Sequence, residues 1–341
     1  MNITFGLDTF GDMQVGEDGA PISAGQTIRN LVEEAVLADE LGINHFNVGE
    51  HHRDDFSVSA PDSVLAGIAT RTKQITLGSG VTVLSSDDPV RVYQRFATVD
   101  ALSSGRAEIT AGRGSFIESF PLFGYDLSDY ALLFEEKLEL LVELLKEHPV
   151  TWSGETRAPL HNQSVYPKTE RGSIPLRVGV GGTPESVVRA ARLKAHLALA
   201  IIGGDPARFA AFSNLYRKSL EDFGYPQLSI SIHSPGFVAE TDEEAIESHW
   251  PNHEKMFGRI GRERGWGPLT KEHYLQEVKF GSLYVGSPET VAKKMVHAIK
   301  SVGAQRFDFK YANGPQKHSS LMKCIELYGT KVIPLVKDLL N

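Results

Sequence analysis

The chain predicts an α/β fold: a (β/α)8 TIM barrel with an insertion before the eighth strand. Three observations carry this. Eight short apolar runs have strand character, a helix-like segment follows nearly every one, and the 341 residues suit a fold that takes about 250 residues and, with insertions, more than roughly 400. An open sheet of six or seven strands with a small helical lobe is the competing arrangement.

The first strand is NITFGL (2–7). The stretch TIRNLVEEAVLADELG (27–42) follows with Ile28, Leu31, Val32, Ala35, Val36 and Leu41 on one helical face and Gly42 as its stop. INHFNVGE (43–50) is the second strand and APDSVLAGIATRTK (60–73) its helix. QITLGSGVTVLS (74–85) is the third, and a helix runs from Pro89, proline being tolerated in a first turn, to Gly105. RAEITAGRG (106–114) is the fourth strand, followed by the long helix LFEEKLELLVELLKEH (133–148). IPLRVGVGG (174–182) leads into a helix at 183–196, LALAII (197–202) into one at 205–224, and LSISIHSPGFVAE (228–240) is the seventh strand. QRFDFKYA (305–312) is the eighth, preceded by a helix at 287–303. Residues 241–285 read as the insertion, near the C-terminal face, and 1–341 as one barrel domain.

The formal charge of −8 argues against non-specific binding to nucleic acid or an anionic membrane. Cys324 is the sole cysteine, which excludes an intrachain disulfide and a cysteine-based zinc site and suits a reducing, cytoplasmic setting. The N-terminus reads as a strand rather than a signal peptide, and no apolar run approaches the roughly 18 residues that span a bilayer.

Active sites of barrels gather where strands end. Four strand ends carry candidates. In NVGEHH, Phe46 and Val48 share one parity with Glu50 and His52, while Asn47, Gly49 and His51 share the other. The bulky set should pack outward, which sends His51 into the barrel mouth and leaves Glu50 and His52 on the rim or tying the strand to the next loop. A merely satisfied histidine is the alternative. A metal site on Glu50, His51 and His52, as in a hydrolase, is a further one, although adjacent ligands on opposite faces rarely meet one ion.

VGVGGTPESV (178–187) runs through Gly181 and Gly182 into a helix that Thr183 can cap. Such a helix N-terminus suits a phosphate; an ordinary glycine turn is the alternative. In ITAGRGSF (109–116), Arg113 stands between Gly112 and Gly114, placed to clamp a phosphate or carboxylate or else simply exposed. In LGSGVTVLSSDDPVR (77–91), the glycines mark a bulge, a flat ligand's approach, or barrel curvature.

Taken in order, LGINHFNVGEHH, LGSGVTVLSSDDPVRVYQRFATVDALSSGRAEITAGRG and VGVGGTPESVVRA resemble the bacterial luciferase-like flavin monooxygenase family over about residues 1–340, most densely at 41–125. The resemblance implies a barrel with an insertion near its seventh strand, a homodimer, and FMN delivered reduced by a separate reductase, or the deazaflavin F420 in a dehydrogenase. It implies that His51 is the active-site histidine beside the flavin, with Glu50 and His52 completing the motif. Gly80 and Val81 match a pair that some members join by a cis peptide under the flavin ring. Arg113, with Gly112 and Gly114, matches an arginine at the flavin site, and Val180, Gly181, Gly182, Thr183 and Ser186 match the phosphate turn. Bacterial luciferase has a reactive cysteine where this chain has Gly112, and lacks the acidic pair Asp87 and Asp88; light emission and a long-chain aldehyde are therefore not implied. The expected reaction uses reduced flavin and dioxygen to oxygenate a small organic substrate, with the segment HEKMFGRIGRERGWGP as a lid or a solvated helix.

Overall fold

The structure, a computed structural model, describes residues 3–341 apart from Ser115 and Trp266. Its centre is a closed ring of eight parallel strands: β1 (Thr4–Thr9), β2 (His45–Val48), β3 (Thr76–Ser79), β4 (Ala107–Gly112), β5 (Leu176–Val180), β6 (His196–Ala200), β7 (Ile230–Val238) and β8 (Arg306–Lys310). Each strand pairs with the next, and β8 pairs with β1 to close the ring. The barrel predicted from the alternating pattern is therefore present, and the open sheet is not.

Seven of the eight strands are shorter than their apolar runs, because several run ends belong to turns. β1 keeps six residues but runs on past the apolar stretch to Thr9. The third run differs most. After Ser79 the Gly80–Val81 peptide is cis, Thr82–Val83 resumes pairing with β4, and Leu84–Ser86 forms a helical turn. Val81 fills the space left by two glycines of the neighbouring strands. A Cβ on Gly112 would lie 2.6 Å from its Cγ2, and one on Gly179 3.1 Å from its Cγ1. Several elements were not read from the sequence: a helix at Ser119–Phe123, an antiparallel pair, Val150–Trp152 with Leu160–Gln163, whose second strand is mostly exposed, and the C-terminal helices His318–Leu327 and Ile333–Leu340.

Between β7 and β8 lie helices Asp242–Arg264 and Lys271–Phe280 and a strand, Tyr284–Gly286, that pairs with Gly236–Val238. No helix among the described residues is long and apolar enough to cross a membrane.

The outward faces of the strands carry Phe5, Leu7, Phe46, Val48, Phe307 and Phe309, all fully buried against the surrounding helices. The lumen is charged instead. Arg306 donates to Glu108 (2.5 Å), Asp308 (2.7 Å) and Asn47 (3.1 Å), and Arg177 lies 3.4 Å from the other Glu108 oxygen. Burial opposes ionisation of Glu108, but Arg306 and Arg177 hold it well below the usual carboxylate range. Gly6 and Gly78 leave room for this network, since a Cβ on either would collide with Asp308 or Asn47. Every buried charge here has an opposite partner, the condition for burying charges at all.

Candidate active site

β2 ends at Val48, and two backbone bonds carry its line onward: Gly49 N donates to Thr9 O and Gly80 N to Val48 O. The parity expected from sequence holds. Asn47 points into the lumen, and the His51 ring sits at the barrel mouth among Phe10 (centroids 5.0 Å), Phe56 (4.4 Å) and Phe116 (4.8 Å). His51 is 7% exposed, its backbone N–H donates to Val58 O, and its Nδ1 lies 3.6 Å from Glu118 Oε1. Burial opposes ionisation of Glu118, but His51 and nearby backbone N–H groups hold it below the ordinary carboxylate range.

Glu50 and His52 belong to each other. His52 Nε2 donates to Glu50 Oε1 at 2.8 Å, while Glu50 Oε2 accepts from Val83 N at 3.1 Å, bracing the end of β2 against the chain beyond β3. This hydrogen bond lifts His52 above the ordinary imidazole range against the opposing effect of burial. The three side chains of the motif do not converge on one point, and among the described residues no group of three or more His, Cys, Asp or Glu could hold a metal.

The second cluster joins β4 to β5. Val180 ends β5; Gly181, Gly182 and Thr183 then lead into the helix Pro184–Arg192. Thr183 does not cap that helix with its side chain. Its hydroxyl donates instead to Ser186 Oγ at 2.7 Å, and Ser186 is also the meeting point of two arginines. Arg113 Nη2 donates to Ser186 Oγ at 3.4 Å and Arg189 Nη1 at 3.3 Å. Arg189 is neutralised by Glu135. Arg113 pairs with no carboxylate among the described residues and rests over the Tyr130 ring at 5.2 Å. Gly182 has φ +132°, and a Cβ on Gly181 or Gly182 would meet open space. A cation without an ionic partner among the described residues, a hydroxyl and the N–H of Glu185, the one first-turn donor that neither belongs to proline nor bonds Thr183 O, thus share one open corner. Those are the donors an anionic phosphate takes.

The remaining expected residues are accounted for. Gly112 lies against Val81, and Gly114, at φ +74°, accepts the Tyr130 hydroxyl at 3.3 Å. Asp87 pairs with Arg95, while Asp88 accepts from Val90 N at the start of the helix Pro89–Ser103 and pairs with Arg157 (3.0 Å), so the acidic pair serves the loop itself. Of the expected lid segment, Trp266 lies outside the described residues. The rest belongs largely to helix Asp242–Arg264, which reaches the loop after His52: Arg259 bonds Asp54 at 2.7 Å and Glu263 bonds Arg53 at 2.5 Å.

Asp8, Phe10, Glu118, Arg189, His233 and Lys310 were missed by sequence reasoning. Asp8 Oδ2 accepts from His233 Nδ1 at 2.9 Å, and Lys310 stands 4.6 Å over the Phe10 ring. The alternation ISIHSP placed His233 on the lumen face, a signal of the kind used for His51. A surface groove of about 730 Å³ lined by Arg217, Ser229 and Gln305 opens at the opposite end of the barrel, away from these groups.

The luciferase-like monooxygenase family model matches residues 9–306. N-acetyl-S-alkylcysteine monooxygenase of Bacillus subtilis is 30% identical over 269 residues, 75% of this chain and 76% of that one. Matches to two uncharacterised proteins of Sinorhizobium fredii, each 33% identical, cover 39% and 41% of this chain and only 38% and 40% of those relatives' length. In fold, the chain is similar to the oxygenating constituent of 3,6-diketocamphane monooxygenase from Pseudomonas putida, in complex with FMN (TM-score 0.80, 18% identity, 98% of each chain). It is also similar to the coenzyme F420 dependent tetrahydromethanopterin reductase of Methanopyrus kandleri (TM-score 0.74, 19% identity, 98% of this chain and 99% of that one).

Proposed function

The chain belongs to the luciferase-like monooxygenase family, and from that premise we propose that it is a flavin-dependent monooxygenase using reduced FMN and dioxygen to oxygenate a small organic substrate. The observation that carries this reading is Arg113. It is a guanidinium without a carboxylate partner among the described residues, and it is aimed at Ser186 where a helix begins. In a chain whose other site arginines, Arg53 and Arg189, are ion-paired, that arrangement fits an anion supplied from outside.

Arg113, the Ser186 hydroxyl and the backbone N–H groups of Gly181, Gly182, Thr183 and Glu185 would hold the FMN phosphate, with Gly80, Val81 and Gly114 at the ring. When bound, reduced FMN supplies the electrons that activate dioxygen. The chain's own share is to exclude water and move protons. Phe10, Phe56 and Phe116 make a dry apolar wall around His51, and an imidazole can exchange a proton near neutral pH. Glu118 orients that ring, and the Glu50–His52 pair fixes the loop that carries it. A substrate with an apolar or aromatic portion suits the wall. A reductase that delivers reduced FMN, a second copy of the chain and a cytoplasmic setting complete the reading.

The likeness in fold to an F420 dependent reductase supports a second reading, hydride transfer with F420 and no dioxygen. Anaerobic titration separates the two. The first reading predicts that reduced FMN binds with micromolar or tighter affinity and F420 at least tenfold more weakly, and the reverse order sinks it.

A further inference from the structure

Asp8 is the most conspicuous polar group of the mouth that the reading above does not use. It is 3% exposed. Its Oδ2 accepts from His233 Nδ1, and its Oδ1 has no partner among the described residues. It lies directly against Gly80, where a Cβ would come within 2.6 Å of the carboxylate. Burial raises Asp8 above the ordinary carboxylate range; His233 pulls it back, Asp308 adds to the rise and Lys310 opposes it.

His233 sits on β7 with its ring stacked on Phe10, centroids 5.9 Å apart and planes at 12°. Phe10 also meets His51 in a T-shaped contact, so two imidazoles share one aromatic ring at the mouth. Neighbouring strands bring Asp8, Asp308 and Lys310 toward His233, while β6 offers Ala200. With Nδ1 committed to Asp8, Nε2 makes no hydrogen bond among the described residues, and the side chain is 15% exposed.

We propose that His233, held by Asp8, is a second proton-transfer residue of this site, presenting Nε2 to the reacting groups while Nδ1–H stays on the buried carboxylate. The proposal rests on the flavin reading. In the step, Nε2 takes a proton from a reacting O–H or N–H: that bond breaks and an Nε2–H bond forms. The ring becomes imidazolium beside Asp8, and the proton then passes to water at the mouth. The pair of the broken bond stays on the reacting atom, the Nε2 lone pair makes the new bond, no oxidation state changes, and the Nδ1–H bond to Asp8 persists throughout. Asp8 is the positioning residue, because it fixes which nitrogen is bare.

The test has two independent readouts. Imidazole ¹⁵N NMR of the flavin-free protein should find His233 protonated at Nδ1 and bare at Nε2, with Asp8→Asn mixing the two tautomers. His233→Gln, checked by its melting curve, should bind reduced FMN within about threefold of wild type. Its reoxidation by dioxygen should slow by about 10²-fold, and the pH profile should lose one ionisation. A wild-type ring protonated at Nε2, or a His233→Gln protein with unchanged rate and profile, overturns the dyad alone. A protein that takes up neither FMN nor F420 overturns the flavin reading and this proposal with it.

Discussion

His51 and His52 are adjacent in sequence and opposite in environment. One imidazole enters a wall of three phenylalanines and the other bonds Glu50, because the backbone keeps the alternation of β2 for a few residues past the strand itself. His51→Asn should therefore lower oxygenation by about 10²-fold or more while leaving FMN affinity within severalfold. Parallel flavin titrations and turnover assays check this, and unchanged turnover removes His51 from proton transfer. The split was readable because parity needs only local sequence. The Asp8–His233 pair was not, because its partners lie 225 residues apart on strands brought together by ring closure. Arg113 was visible as an arginine between glycines, but its lack of an ionic partner among the described residues is a property of the folded neighbourhood.

The elements were read more reliably than their ends. Each strand–helix alternation survived, while the third apolar run broke at Gly80–Val81 and Thr183 gave its hydroxyl to Ser186 rather than to the helix. The glycines of β4 and β5 gain their meaning only here. Gly112 and Gly179 are the room for Val81, a contact between strands that no linear pattern displays. Gly112→Ala should destabilise the protein by about 1–3 kcal/mol through overpacking, and Val81→Ala in the same chain should recover part of that loss. A double-mutant cycle of melting or denaturant curves measures the coupling. Strictly additive effects would show that the two side chains do not meet.

At the scale of the whole molecule, the fold follows from alternation and length, whereas the charged lumen does not. Polar residues at alternate strand positions read equally well as solvent-facing, and only closure turns Arg306, Glu108 and Asp308 into a buried network. The same closure and the helices around it bury histidines in neutral form. Burial, aided by Arg306, pushes His45 down to about 3; burial and Arg177 bring His196 to about 4; burial and Lys310 bring His253 to about 3. Unfolded histidines titrate near about 6.5. Between that value and the folded ones the unfolded chain holds more protons, so stability is lost as pH falls. Each residue contributes on the order of 1.4 kcal/mol per pH unit. Melting temperatures should drop steeply from pH 6.5 toward 4.5, and a flat profile over that window would contradict the burial of these rings as neutral groups.

The central claim, that the corner formed by Arg113, Ser186 and the helix start at Pro184 receives a flavin phosphate, is tested most directly by comparing FMN with riboflavin, which lacks that group. Calorimetric titration of wild type and Arg113→Ala with both ligands, reduced and anaerobic, isolates the phosphate contribution. A charged hydrogen bond to a phosphate is worth about 1.5–3 kcal/mol, so wild type should prefer FMN by about tenfold to a hundredfold and Arg113→Ala should lose most of that preference. Equal affinity of wild type for FMN and riboflavin, or a preference that Arg113→Ala leaves intact, would contradict it.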